Sequence, residues 1–256
     1  VVKMKIMKNG KALFLAYDQG LEHGPTDFND RNVDPNYIMD LAEKGKFSGI
    51  IFQKGVAEKY YRGKVPLILK LNGKTNLVKG EPLSSQVCSV KEAIKLGAKA
   101  VGYTIYVGSA HEQKMLKEFG KIEEEAHGQG LPLIAWMYPR GKAIKDELSR
   151  EVLAYAARVG LELGADIVKM KYNGNPEDLK WVVKSAGKTK VVIAGGTKKD
   201  EKEMIKETYE IMKAGACGLA IGRNVWQSKK PLELAKILKK IIFEGEKPKG
   251  VAYARH

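Results

Sequence analysis

The chain has 256 residues, a formal net charge of +15, 44% hydrophobic residues and 29% charged residues. This is globular composition with enough apolar surface for a sizeable core, in one large domain or two small ones. No apolar run approaches the ~18 residues of a membrane span, and no secretory apolar region follows the basic start from Val1 to Lys11.

Only two cysteines occur, Cys88 and Cys217, with neither metal-type spacing nor the density of an extracellular disulfide scaffold. A cytoplasmic location is therefore expected, with no membrane partner. The lysines are scattered through segments such as KKDEKEMIKE rather than gathered in one basic stretch. The basic excess reads first as a solvated Lys/Glu-rich surface, as in proteins from hot environments. A field that draws in phosphorylated substrates is the next reading, and a nucleic-acid surface the last. No nucleic-acid partner is expected.

In chain order, eight apolar runs have the character of buried parallel strands. They are KALFLAYD (11–18), FSGIIFQ (47–53), PLILKLN (66–72), AKAVGYTIY (98–106), LPLIAWMY (131–138), ADIVKMKY (165–172), KVVIAGG (190–196) and ACGLAIG (216–222). Amphipathic segments separate them. In SVKEAIKLGAKA and SREVLAYAARVGLELGAD, helices are predicted to end at Gly97 and Gly164 just before a strand. The same junction recurs at Gly215, after a helix whose Met204, Ile205, Ile211 and Met212 share one face. Eight repeats of strand and helix predict one (β/α)8 TIM-barrel domain over residues 1–256. A doubly wound open sheet is the alternative, but no GxGxxG follows the first strand.

Such a barrel works at the carboxyl ends of its strands. Those ends carry Asp18, then Gln53 and Lys54, then Lys70 and Asn72. Thr104, Tyr106, Trp136, Tyr138, Lys169 and Lys171 come next, followed by Gly195, Gly196, Gly222 and Arg223. Lys169 follows the apolar ADIV, where a lysine is costly unless paired or neutral. The period of two puts Lys171 on the same face, ~6–7 Å away along the strand. A second cation plus desolvation would lower the pKa of Lys169 and make it a nucleophile. The other reading is a structural lysine paired with Asp18 or another acid.

Trp136 and Tyr138 also share a face. They are either rim aromatics of the core, or an indole that holds substrate beside a phenol that shuttles protons. GGTK and IGRN suit phosphate, with amides from Gly195, Gly196 and Gly222 and charge from Arg223 and Lys198. Tight turns and a surface arginine are the alternative. His23, His111, His127 and His256 lack the close pairing of a metal site, and there is no HExxH, so no metal is expected.

AYDQGLEHGP (16–25), AVGYTIYVGS (100–109), WMYPRG (136–141), GADIVKMKY (164–172), AGGTK (194–198) and AIGRNVWQ (220–227) together resemble archaeal-type class I fructose-bisphosphate aldolases. The resemblance runs from about Lys11 to Gln227. It implies a lyase of glycolysis and gluconeogenesis that needs no cofactor beyond an imine on its own lysine. By matching motif, the Schiff-base lysine falls on Lys169, the proton-transferring tyrosine on Tyr138 and the active-site tryptophan on Trp136. The strand 1 acid falls on Asp18 and the phosphate loops on GGTK and GRN. His23 is assigned to the far phosphate.

Many relatives have Ser where this chain has Ala194, which removes one hydroxyl from the phosphate loop. The resemblance also implies a ring-shaped homo-oligomer and a phosphorylated sugar as substrate. The same imine chemistry on another phosphorylated keto substrate, as in transaldolase-like members, is the runner-up. EHGP in place of a short DHG loop argues against it. A non-catalytic basic barrel that binds nucleic acid is a rival from another class.

Overall fold

A computed structural model describes residues 2–248. Eight strands form its centre: β1 (Ala12–Ala16), β2 (Gly49–Gln53), β3 (Leu67–Lys70), β4 (Ala98–Ile105), β5 (Leu133–Met137), β6 (Ile167–Met170), β7 (Lys190–Ala194) and β8 (Gly218–Ile221). Every neighbouring pair is parallel. The ladder closes from β8 back to β1, with Leu13 opposite Leu219. This is the (β/α)8 barrel that the alternation of the sequence predicts.

Eight helices follow the strands in turn: α1 (Pro35–Lys44), α2 (Lys54–Tyr60), α3 (Val90–Lys95), α4 (Glu112–Gly128), α5 (Arg150–Glu162), α6 (Pro176–Ser185), α7 (Glu201–Lys213) and α8 (Pro231–Lys239). Their starts are set by local chemistry. Asp34, Ser89, Ser149, Asn175 and Asp200 each accept a hydrogen bond from a first-turn amide, a cap that stabilises a helix by about 1 kcal/mol. The predicted stops also hold. Gly97, Gly164 and Gly215 follow α3, α5 and α7 with φ of 85°, 84° and 100°, a region open to glycine at little cost.

The period of two divides the core into two layers. Leu13, Leu15, Ile50, Phe52, Leu67 and Leu69 point outward beneath the helices. Phe14, Ile51, Ile68, Ile134, Ile167 and Val192 point inward and fill the barrel, with Ile6 packed among them. Counting two residues on from these inward positions gives Gln53, Lys70, Trp136 and Lys169. The strand pattern that packs the barrel floor therefore aims polar groups into its upper end.

Candidate active site

Every expected site residue except Lys198 lines one cleft at the carboxyl end of the barrel. It holds about 950 Å³ of space, open solvent at its mouth included. Its walls come from strand ends and from the β1 loop, where Gly20–His23 forms a single helical turn.

Lys169 stands opposite Trp136 in the β5–β6 register, and its Nζ lies 4.9 Å from the centre of the indole. It is only 5% exposed. Burial pushes its amine below the ordinary lysine value, while the charge of Asp18 pulls the other way.

The expected second cation is a different residue. β6 ends at Met170, so Lys171 leaves the ladder and its Nζ pairs with Glu147 Oε1 at 2.5 Å. The amine that shares the Trp136 ring is Lys70 of β3, whose Nζ lies 5.4 Å from the ring centre. Burial pushes Lys70 down to about 8, opposed by Asp18 and Glu22 and reinforced by Lys169.

Room for the indole is made by Gly102 of β4. A Cβ there would overlap ring atoms Cζ3 and Cη2 of Trp136 and lie 3.0 Å from Cε3. Trp136 Nε1 is buried and has no hydrogen-bond partner among the described residues. Tyr138, just beyond the end of β5, packs against the inner cluster. Burial, then the charges of Asp18 and Glu22, hold its phenol well above the ordinary tyrosine value. A phenol that stays protonated in the same cleft as a desolvated amine can serve as a proton donor.

The anion end is more tightly knit than its sequence suggests. Arg223 Nη1 donates to Asp27 Oδ1 at 3.0 Å and Nη2 to the carbonyl of Gly196 at 3.1 Å. His23 Nδ1 lies 2.6 Å from the other oxygen of Asp27. One carboxylate thus holds both groups, and His23 stands beside Arg223 rather than at the far end. Burial raises the pKa of Asp27, but the bonds from His23 and Arg223 outweigh it and hold the carboxyl low.

Two further expectations change here. The Gly195 amide donates to the Ala220 carbonyl at 3.1 Å, so this N–H belongs to the barrel ladder. Lys198 turns away to the carbonyl of Asn224 at 3.3 Å. Gly196, Gly222 and the Arg223 guanidinium remain at the cleft.

A second cationic group carries no periodic signal in the sequence. Glu22 Oε1 accepts from Arg140 Nη1 at 3.0 Å and lies 3.7 Å from Lys74 Nζ, and all three line the cleft. The WMYPRG motif contains Arg140, but no periodicity marked it. Among the described residues no three His, Cys, Asp or Glu side chains converge as metal ligands. His127 is bound between Glu123 and Asp166 at 2.7 and 2.8 Å. His256 lies outside the described residues. No helix among them is long and apolar enough to cross a membrane.

This arrangement has close likenesses. The DeoC/LacD family of aldolases matches residues 12–228. The class 1 fructose-bisphosphate aldolase of Thermoproteus tenax is 51% identical, over 94% of this chain and 92% of its own. That of Halobacterium salinarum is 43% identical over 93% of both chains. A solved archaeal fructose-1,6-bisphosphate aldolase, with its catalytic lysine covalently bound to the carbinolamine intermediate of the substrate, superposes with a TM-score of 0.89. It shares 51% identity over 91% of this chain and 94% of the other. With a buried strand 6 lysine against an indole in a matching barrel, the chain belongs to the DeoC/LacD aldolases and, within them, to the class 1 fructose-bisphosphate aldolases.

Proposed function

We propose that Lys169 performs the reversible, metal-independent cleavage of fructose 1,6-bisphosphate to dihydroxyacetone phosphate and glyceraldehyde 3-phosphate. The observation that carries this reading is the desolvated Lys169 amine, set against Trp136 in a cleft with cationic groups. The carbinolamine on the lysine of the archaeal relative supports the same role for Lys169.

The neutral amine of Lys169 adds to the ketone at carbon 2. Tyr138 gives a proton to the carbinolamine hydroxyl, which leaves as water. The resulting iminium withdraws electrons, so the bond between carbons 3 and 4 breaks as the carbon 4 hydroxyl loses its proton. The electron pair is stored as an enamine, and the aldehyde departs. Protonation at carbon 3 and attack by water then release dihydroxyacetone phosphate. Asp18 steers these protons and, as a carboxylate, favours the charged forms of nearby amines.

Arg223, Gly196, Gly222 and His23 hold the ketone-side phosphate, and its binding energy positions the carbonyl. Arg140 and Lys74 offer charge for the second phosphate once it displaces Glu22 from them. Residues 1–256 act as one domain in this reading. The two free thiols support the cytoplasm as its location. Exposed apolar side chains such as Tyr155 and Trp181 support a homo-oligomer.

The test is turnover of fructose 1,6-bisphosphate after exhaustive chelation. Undiminished cleavage is expected. Loss with EDTA and recovery with zinc would contradict the imine reading.

A further inference from the structure

Gln53 and Lys70 close their strands side by side, in register across β2 and β3. Both side chains reach one acceptor, the main-chain carbonyl of Asn72. Gln53 Nε2 donates to it at 3.1 Å and Lys70 Nζ at 3.2 Å. That carbonyl is firmly placed, because Asn72 is fully buried and all its side-chain polar atoms are engaged. Its Nδ2 donates to the carbonyls of Ser84 and Thr104 at 3.1 and 2.9 Å, and its Oδ1 accepts from the Thr104 amide at 2.7 Å.

The shared carbonyl also fixes which way the Gln53 amide points, since only its NH₂ end can donate. Its Oε1 is left buried without a partner, in a residue that lines the cleft. A buried acceptor left unmet is unfavourable unless a ligand completes it. Lys70 likewise has N–H groups beyond the one given to Asn72. The chemical steps above use neither residue.

Their place in the barrel suggests what meets them. β2 stands four strands from β6 in the eight-strand ring, across from Lys169. The ketone-side phosphate is assigned to β7, β8 and the β1 loop, so the sugar chain beyond the imine runs toward β2 and β3. We propose that Gln53 and Lys70 form the subsite that anchors the aldehyde half and so sets the configuration at carbon 4. This assignment rests on the imine reading given above.

In the synthetic direction the enamine carbon bonds to the aldehyde carbon. The carbonyl π pair moves to the aldehyde oxygen, which takes from Tyr138 the proton that enamine formation removed from carbon 3 and becomes the carbon 4 hydroxyl, while the enamine returns to the iminium. The face attacked depends on where that oxygen is held. A Lys70 N–H suits an oxygen that gains negative charge, and the Gln53 carbonyl suits the neighbouring hydroxyl. An aldehyde bound by its other face leaves both groups unpaired, the arrangement in which polar sites discriminate most strongly.

The experiment condenses dihydroxyacetone phosphate with D-glyceraldehyde 3-phosphate and measures the ratio of fructose to tagatose 1,6-bisphosphate by NMR. The wild type should favour the fructose product. Lys70→Met should lower the ratio by at least ~10-fold, the scale of one hydrogen bond to a charged group, and Gln53→Leu by roughly 2–10-fold, the scale of a neutral one. Unchanged ratios in folded Gln53→Leu and Lys70→Met would overturn the subsite. If Lys70→Met fails to fold, Gln53→Leu decides, because Gln53 is only half-buried. Borohydride trapping of the wild type with dihydroxyacetone phosphate alone separates the two levels. No adduct on Lys169 would refute the imine reading, whereas an adduct with unchanged variant ratios would refute only the subsite.

Discussion

Replacing Gly102 with alanine tests whether the indole that both buried lysines approach has to stay where it is. The new methyl would overlap Trp136 Cζ3 and Cη2 and lie 3.0 Å from Cε3, where unstrained carbon contacts need about 3.5–4.0 Å. Trp136 is 1% exposed and cannot swing into solvent. Overpacking a closed core costs about 1–3 kcal/mol, and the rigid strand on one side and the rigid ring on the other favour the upper half of that range. For a chain of this size each kcal/mol moves Tm by about 2–4 °C, so the melting point should fall by roughly 4–12 °C.

The ring must also shift against Lys169 Nζ, now 4.9 Å from its centre. A displacement of about 1 Å can cost on the order of 10²-fold in rate, so kcat for fructose 1,6-bisphosphate cleavage should drop by about that factor. Calorimetry and a coupled assay for dihydroxyacetone phosphate read the two effects. Gly120→Ala is the control. Gly120 lies inside α4 with nothing within 4 Å of its would-be Cβ, and the exchange should stabilise the helix by about 0.5–1 kcal/mol. A Gly102→Ala protein with wild-type Tm and kcat would refute the packing argument.

Tyr138→Phe keeps the ring and removes the proton, so kcat should fall by about 10²–10⁴ with KM little changed in steady-state assays. A near-normal kcat would assign Tyr138 to packing. Arg223→Ala should lower kcat/KM for fructose 1,6-bisphosphate by about 1.5–3 kcal/mol, and much less for a ketose without the ketone-side phosphate. Equal losses on both would make Arg223 a rim support. Asp27 has a depressed carboxyl pKa in the folded protein, so its stabilising effect is complete above the unfolded carboxylate range. That contribution is lost as pH falls through the lower folded value. Asp27→Asn should therefore be less stable than the wild type at pH 7, and denaturant melts at falling pH should bring the two together. A constant difference from pH 7 down to pH 2 would contradict the Asp27 linkage.

Much of this was legible because the barrel repeats simple rules. All eight strands announced themselves as apolar runs, and the residues that matter sit two positions beyond an inward core residue. Ile167 leads to Lys169 and Ile134 to Trp136, so alternation carried the phase from packing into chemistry. The same rule brought Lys171 to the cleft, but there its amine pairs with Glu147. Period two holds only while the strand lasts, and β6 stops at Met170. Lys70 was visible at a strand end, but its nearness to the Trp136 ring depends on how far that ring leans across Gly102, which one strand's pattern cannot reveal.

Loop partners were the least legible. Asp27 joins His23 to Arg223 across 196 residues of chain, and Glu22 meets Arg140 across 118. Nothing periodic marks such pairs. Lys198 and Gly195 are also tied to partners that no periodicity marks. A basic side chain or a glycine amide beside a strand end suggests phosphate, until the Asn224 and Ala220 carbonyls are found to accept from them.

The central claim is that the Lys169 amine forms the imine, and borohydride trapping tests it most directly. The wild-type protein is incubated with dihydroxyacetone phosphate, reduced, digested and analysed by mass spectrometry. Burial holds the Lys169 amine below the usual lysine value, so trapping should be efficient well below pH 10, with inactivation proportional to label. The predicted result is one reduced triose phosphate on the peptide containing Lys169, and no label in Lys169→Ala. Label on Lys70 or Lys171 in its place, or full cleavage activity in Lys169→Ala, would contradict the account.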